Sequence, residues 1–211
     1  MTARTTDSKT HARAGYKKSA VSRRSVVEAA VRALANQGFA KTSVSDIAHS
    51  AGMSKGVVHY HFANKDDLIA HVLEHCSSVV STRAREAWDL GGTPTDRIRR
   101  LLREAWAIRR EGIPEIRVIM DLMAQAIYEP HLRGAVRTMM QTTRAQIIDD
   151  LVGSLETLGL KPRVAPTVIT RMLMASLDGL CLQQLFDPSD PDEEEELLRA
   201  VEVVAFALFQ L

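Results

Sequence analysis

The 211-residue chain lacks several features that mark other protein classes. Its only two cysteines, Cys76 and Cys181, lie far apart without metal-ligand spacing, so we expect free thiols rather than a disulfide framework. It has no apolar run near the ~20 residues that a membrane span needs, and no apolar segment follows the basic N-terminus as in a secretory signal. Alternation of Val, Ile or Thr with polar residues over strand length is also absent. These absences predict an all-α globular protein of the cytoplasm with no membrane partner.

The charges are unevenly distributed, although the formal net charge is only +1. Residues 1–65 carry eleven Lys and Arg against three acidic residues, a formal charge of +8. The remainder carries sixteen against twenty-three, a formal charge of −7. A basic segment suits a protein that binds the phosphate backbone, because each neutralised phosphate releases counterions. The N-terminal third is therefore the candidate nucleic-acid binder.

Helical periodicity begins near residue 22 and continues to the end of the chain. Residues 1–21 have too little apolar surface to offset the entropy of ordering, which predicts a disordered basic arm. The arm either enters the minor groove or attracts phosphates without specificity, and the second is favoured. Gly and Pro residues divide the chain after residue 21 into segments, which predicts about nine helices. These cover residues 22–37, 43–51, 55–61, 64–89, 95–111, 114–128, 130–159, 166–186 and 191–210.

Residues 42–65 (TSVSDIAHSAGMSKGVVHYHFANK) read as two short helices joined by a turn at Gly52. This arrangement is typical of a helix-turn-helix, whose second helix enters the major groove of DNA. Val57 and Val58 equally fit packing against the first helix. The predicted contacts to base edges and phosphates come from small or hydrogen-bonding residues in and beside the two helices: Thr42, Ser43, Ser54, Lys55, Gly56, Val57, His59, Tyr60, His61 and Lys65.

The segment around this motif resembles the TetR family of bacterial repressors over about residues 22–72. The matching features are Gly38-Phe39, Thr42-Ser43-Val44, Asp46-Ile47-Ala48, Ala51-Gly52-Met53-Ser54-Lys55-Gly56, Tyr60-His61-Phe62 and Lys65. The sequence departs from the family at His59, where an aromatic residue is common, and at Val58, where Leu or Ile is common. The resemblance implies a three-helix DNA-binding head (residues 22–65) and a helical body for ligand binding and dimerisation (residues 66–211). It also implies that the fourth helix links the two and that the last two helices hold a dimer.

Methionine is unusually frequent in the body. Six of the eight methionines lie on three predicted helices, and flexible, polarisable Met suits an adaptable apolar cavity. A Met-rich core without any ligand is the alternative interpretation. The predicted ligand-binding residues are five of these methionines and nearby apolar or polar side chains: Trp106, Met120, Met123, Ile127, Met139, Met140, Thr143, Met172, Asp178 and Cys181.

The last two predicted helices are apolar on more than one face, which requires burial on several sides. Small residues on the first of them permit close approach, so a two-fold four-helix interface is expected. The predicted interface residues are Ala175, Gly179, Leu182, Phe186, Val201, Ala205 and Leu208.

The sequence therefore predicts a homodimeric, ligand-responsive transcriptional regulator, most simply a repressor. It would bind a pseudo-palindromic operator in double-stranded DNA and be released by a small, largely apolar effector, without cofactor or metal. One alternative keeps the DNA-binding head and makes the body a dimerisation platform only. The other is an all-α enzyme, for which no catalytic constellation has suitable spacing. His71, His75 and Cys76 are close enough in sequence for a metal site but are interpreted as ordinary helix residues.

Overall fold

The computed structural model describes residues 6–149, 155, 157 and 159–210, with side chains from residue 22 onward. These residues form nine α-helices: α1 (Thr6–Gln37), α2 (Val44–Ser50), α3 (Lys55–His61), α4 (Lys65–Asp89), α5 (Pro94–Glu111), α6 (Pro114–Tyr128), α7 (Arg133–Ile147), α8 (Pro166–Phe186) and α9 (Pro191–Ala207). One 3₁₀ turn spans Pro130–Leu132, and two short antiparallel strands, β1 (Lys161–Pro162) and β2 (Phe209–Gln210), pair with each other. The predicted all-α class is confirmed, with this two-residue ribbon as an addition.

Helices α2, α3 and α4 begin at side-chain caps. Ser43 and Asp46 form a reciprocal capping box at the start of α2. The side chain of Ser54 accepts the third backbone N–H of α3, and that of Asn64 does the same at α4. Gly52, between α2 and α3, has a φ of 63°, which only glycine adopts without strain. Local chemistry therefore sets the ends of all three helices.

The start of α1 differs from the sequence prediction. The helix begins at Thr6, so residues 6–21, predicted as a disordered arm, continue α1 towards the N-terminus. The segment contains no proline and has three Ala and three Lys residues, which favour helix. Adding residues to an existing helix also avoids the free-energy cost of nucleating a new helix. Residues 1–5 of the predicted arm lie outside the described residues.

Two later helices differ from the prediction. The expected helix over 130–159 begins instead with the 3₁₀ turn and continues as α7 to Ile147, and residues 148, 149, 155 and 157 are also helical. Parts of the predicted span after residue 149 lie outside the described residues. The last helix ends at Ala207 because the backbone after it turns to pair with β1, and the Arg163 N–H donates to the Leu208 carbonyl at 2.8 Å.

Buried apolar side chains form two clusters. The first joins α1 to α4 with α6, the 3₁₀ turn and α7, and it includes Phe62, Leu122 and Leu132. The second joins the end of α4 with α5, α8, α9 and β2, and it includes Trp88 and Trp106. The first cluster crosses the predicted boundary at residue 65, so the division into head and body stays a prediction. The head shares its core with α6 and α7.

Candidate nucleic-acid interface and ligand cavity

One side of α3 is exposed to solvent. We define the recognition face as Lys55, Gly56, His59 and Tyr60, which are all exposed and lie on one side of this two-turn helix. Val58, on the opposite side, is buried, so its side chain packs inside the protein and is not available to contact a base. Tyr60 is 79% exposed despite its aromatic ring. Positive and hydrogen-bonding side chains on a protruding helix suit phosphate and base-edge contacts in a major groove.

The two predicted contact serines are exposed at the ends of α2 and α3. Ser43 Oγ donates to Asp46 Oδ2 at 2.6 Å and accepts the Asp46 N–H at 3.2 Å. The Ser43 hydroxyl, together with the Ser43 N–H that donates to the same Oδ2 at 2.8 Å, lowers the pKa of Asp46 below its ordinary value, which keeps the capping carboxylate ionised. Ser54 Oγ accepts the Val57 N–H at 3.4 Å, and Val57 itself is half-buried. Both serines therefore cap a helix and still face solvent.

Two other predicted phosphate contacts are used inside the head. The prediction for Thr42 is wrong, because its side chain is only 2% exposed and its hydroxyl donates to the Gly38 carbonyl at 2.7 Å. His61 is half-buried, and its Nε2 lies 3.1 Å from Ser22 Oγ on α1. These contacts fix α1 against the two short helices.

Lys65 also turns inward. Its Nζ donates to the Phe39 carbonyl at 3.2 Å and lies 3.9 Å from the centre of the Phe39 ring. Partial burial lowers the pKa of Lys65 from its ordinary value. The structure therefore places this ammonium group on the loop after α1, where it holds the loop to the start of α4, rather than on the recognition face.

A cavity of about 290 Å³ lies within the body, between α4, α5, α6, α7 and α8. Its wall is largely apolar and includes six of the ten residues predicted to bind a ligand: Met120, Met123, Met139, Met140, Thr143 and Asp178. A body that served only for dimerisation would have no need of such a cavity.

The remaining four predicted ligand residues lie outside the cavity wall. Trp106 is buried, but its indole N–H donates to Glu194 Oε1 at 2.7 Å, which turns the ring towards α9. Ile127 is 64% exposed near the end of α6, and Met172 is 41% exposed on the outer side of α8. Cys181 packs against the second cluster, with its Sγ 3.9 Å from the Arg109 carbonyl. Periodicity placed these residues on the right helices but on the wrong faces.

Sequence reasoning missed several polar groups of the cavity wall, above all Ser77, Ser81 and Arg109. Ser77 and Ser81 lie one helical turn apart on α4, a spacing that places them on one face. The sequence offers the same spacing at Ser78 and Thr82, which face solvent. Only the packing of α4 distinguishes the two pairs, so the sequence contains no signal that selects the first.

The predicted interface residues of α8 are on its outer side. Ala175 is exposed, Gly179 is half-buried, Leu182 is 49% exposed and Phe186 is 77% exposed. With Val168 and Met172 they form a row with alternating spacings of four and three residues, which we call the α8 seam: Val168, Met172, Ala175, Gly179, Leu182 and Phe186. This spacing is typical of a helix that packs along a partner helix.

The predicted interface residues of α9 are wrong in two of three cases. Val201 and Ala205 are buried within the second cluster, and Leu208 packs against that cluster from its edge. The exposed side of α9 instead carries Val203, which is 67% exposed. A helix that is apolar on more than one face gives no indication of which of these faces meets its own chain.

The histidines near Cys76 have ordinary environments. His71 Nδ1 lies 2.8 Å from the Asp67 carbonyl, and Cys76 is buried in the first cluster. Within the described ranges, no group of three or more His, Cys, Asp or Glu side chains is arranged to hold a metal ion. Of the helices described, none combines the length and apolar character needed to cross a bilayer.

Comparison with known proteins relates both halves of the chain to transcription factors. Residues 26–72 match the family model described as bacterial regulatory proteins, tetR family. Residues 94–206 match the model described as BetI-type transcriptional repressor, C-terminal. The second match alone covers more than half of the chain.

Individual relatives and solved structures agree with these matches. The HTH-type transcriptional regulator BetI of Brucella canis is 23% identical over 186 residues, which are 88% of this chain and 91% of that protein. The HTH-type transcriptional regulator PksA of Bacillus subtilis is 25% identical over 166 residues, 79% of this chain and 80% of that protein. A TetR-family regulator from Rhodococcus sp. superposes with a TM-score of 0.75 at 25% identity, covering 87% of this chain and 98% of that chain. Salmonella enterica GusR, at 20% identity, superposes with a TM-score of 0.70 over 89% and 94% of the two chains, which shows the shared fold.

Proposed function

Because the chain belongs to the TetR family of bacterial transcriptional regulators, with a BetI-type C-terminal domain, we propose that it is a ligand-released repressor. The family is not enzymatic, and its helix-turn-helix binds DNA. In our proposal a cytoplasmic homodimer binds a pseudo-palindromic operator and leaves it when a small, largely apolar molecule enters each body. The recognition face is the observation that carries the proposal.

The recognition face is suited to a major groove in shape and charge. Gly56 adds no side chain where α3 approaches the base edges, while Lys55 and His59 offer donors on either side of it. Tyr60 adds a hydroxyl that reaches a phosphate oxygen. In a dimer, two such helices would enter successive grooves about one helical turn, or a multiple of a turn, apart.

Binding to DNA is tested with duplexes that the protein selects from fragments of its own genome. Lys55→Ala is expected to lower the affinity about tenfold, the usual effect of losing one charged contact to DNA. Lys161→Ala is the matched control, because Lys161 is an exposed cation of the body. Measured by gel shift at fixed salt, equal losses for the two variants would reject α3 as the DNA-binding element.

Dimerisation is supported by the α8 seam. A row of exposed apolar and small side chains along one helix is the surface that a two-fold partner would cover. The small Ala175 and Gly179 near its centre allow two α8 helices to approach closely. Ala175→Glu would place like charges opposite each other across the axis, whereas Ala124→Glu adds the same charge on the exposed side of α6. Light scattering should then show a monomer for the first variant and a dimer for the second; two dimers would argue against the seam.

Release by a ligand is supported by the cavity and by its position. The wall includes α4, which begins directly after the helix-turn-helix, and α6, whose Asp121 accepts a hydrogen bond from the head. A ligand releases DNA only if it binds the DNA-incompetent form more tightly than the DNA-bound form. Filling the cavity would alter the positions of α4 and α6 and so the spacing of the two heads.

A further inference from the structure

The hydroxyl group of Ser81 has an unusual environment. Its Oγ is the one buried side-chain oxygen or nitrogen without a hydrogen-bond partner in the described part of the chain, and Ser81 lines the cavity. A helical serine or threonine can satisfy its hydroxyl by donating to the carbonyl four residues earlier. Thr82 does this at 2.8 Å and Ser176 at 2.9 Å. Ser81 does not, so its hydroxyl remains available inside the cavity.

The polar groups of the cavity near Ser81 follow one line along α4. Ser77 lies one turn before it and is already paired, with its Oγ 2.5 Å from Thr143 Oγ1. Arg85 lies one turn after it and also borders the cavity. The walls from the other helices are largely apolar, with Leu101, Leu102, Ile116, Ile119, Met120, Met123, Met140, Leu173 and Leu177, although Arg109, Thr143, Gln146, Thr170 and Asp178 also line them. The cavity is therefore largely apolar, and within the described residues its buried hydroxyl without a partner is on α4.

The charged groups in the wall balance each other. Arg109 Nη2 and Nε donate to Asp178 Oδ1 at 2.7 and 2.8 Å, and Arg109 Nη1 donates to the Ala105 carbonyl at 2.9 Å. Arg85 and Asp89, both exposed, bring one charge of each sign to the wall. A charged ligand would need an uncompensated partner to offset its desolvation, and this wall provides none in excess. A volume of about 290 Å³ holds roughly ten groups the size of a water molecule.

We propose that the cavity binds an uncharged amphipathic molecule whose hydroxyl or carbonyl group hydrogen-bonds to Ser81 while its apolar part packs against α5 to α8. This inference rests on the proposed ligand response and specifies the chemical class of the ligand. Because Ser81 is on α4, the polar group of the ligand would attach directly to the helix that begins at the DNA-binding head. Ser81 would then be a specificity-determining residue of the site.

The test compares three probes with the same ten-carbon chain: 1-decanol, decanoate and decyltrimethylammonium. Binding is followed by tryptophan fluorescence, since Trp88 lines the cavity. 1-Decanol should bind about tenfold more tightly than either charged probe, because no excess charge compensates those headgroups. Ser81→Ala should weaken 1-decanol binding about fivefold, the effect of one neutral hydrogen bond, without lowering the melting temperature of the free protein. Ser78→Ala, an exposed serine on the same helix, is the matched control and should bind like the parent.

Tighter binding of a charged probe, or equal 1-decanol affinity in the parent and Ser81→Ala, would overturn the inference. The same samples are also tested for release of the selected DNA duplex. If 1-decanol binds through Ser81 without releasing DNA, the ligand class stands and the proposed release mechanism fails. If 1-decanol does not bind but a charged effector releases DNA, the release mechanism stands and the ligand class fails.

Discussion

Asp121 is expected to couple the body to the head through a single hydrogen bond. Its Oδ2 accepts the Phe39 N–H at 2.6 Å across 82 residues of sequence. Phe39 follows the last turn of α1, and its carbonyl accepts from Lys65 on α4. The loop after α1 is therefore held from two sides, by a carboxylate of α6 and an ammonium of α4. Replacing Asp121 should loosen the first of these contacts and leave the second.

The expected magnitude follows from the charge and partial burial of the contact. A hydrogen bond to a charged group contributes about 1.5–3 kcal/mol, and the lower end applies because Asp121 is half-exposed. Asp121→Ala should therefore lower the free energy of unfolding by about 1.5 kcal/mol. Asp121→Asn keeps an acceptor oxygen without the charge, so about half of that loss is expected.

Urea unfolding at one fixed protein concentration measures these losses, because the stability of a dimer depends on concentration. Gln125→Ala is the matched control, since Gln125 Nε2 contacts the other oxygen of Asp121 at 3.4 Å. It should change stability by less than about 0.5 kcal/mol. If Asp121→Ala unfolds at the same urea concentration as the parent, the hydrogen bond does not support the fold and the reasoning fails.

A second measurement concerns function. On α6, Met120 and Met123 line the cavity on either side of Asp121, whose carboxylate reaches the head. If α6 transmits ligand binding, Asp121→Asn should reduce the factor by which a ligand weakens DNA binding, because coupling requires a contact that differs between the two states. An unchanged factor would assign the coupling to α4 alone.

Three further predictions concern local chemistry. Burial, aided by the nearby carboxylate of Glu115, raises the pKa of Cys76 to about 12. Iodoacetamide at pH 8 should therefore label the half-buried Cys181 first and Cys76 only when the protein unfolds, and mass spectrometry would show this order. Ser43→Ala should raise the pKa of Asp46 towards its ordinary value, as measured by an NMR titration. In the parent protein the lowered pKa means that ionised Asp46 stabilises the fold above about pH 4. This stabilisation is lost as the pH falls through the pKa of Asp46 in the folded protein. Gly38→Ala should cost about 1 kcal/mol in thermal unfolding, because Gly38 has a φ of 78°, and an unchanged melting temperature would contradict the strain argument.

The local chemistry of the head could be predicted from sequence because it depends on neighbours in the chain. The capping box of α2, the Ser54 cap and the turn at Gly52 all involve residues within a few positions of each other. The exposed face of α3 was predicted only in part, because Val57 and His61, which were also predicted as contacts, are half-buried. Thr42 was predicted wrongly and the contacts of Lys65 with Phe39 were not foreseen, because the partners of both residues lie in the turn after α1, and the sequence does not show that this turn folds back onto them.

The helices of the body were predicted from the sequence, but the faces that each helix buries or exposes were not. Helices α8 and α9 are apolar on more than one face, so periodicity could not show that Val201 and Ala205 point inward while Val203 points outward. Tertiary packing alone decides between them. The same holds for Ser81 and Asp121, whose roles depend on contacts made across helices.

The position of the cavity between the two apolar clusters suggests how one ligand could move a whole head. Met139 in its wall belongs to the first cluster, with the helix-turn-helix, while Leu177 and Ala205 belong to the second, with α8 and α9. A close-packed cluster moves as a unit, because rearranging its interior costs more than sliding its surface. If a partner subunit packs against the α8 seam, the second cluster is held in place by the dimer. A ligand that pushes the two clusters apart must then move the first cluster. Helix α4 contributes to both clusters, and its Ser81 lies in the cavity wall between them. A small displacement of α4 at Ser81 would therefore also move the start of α4, which adjoins α3.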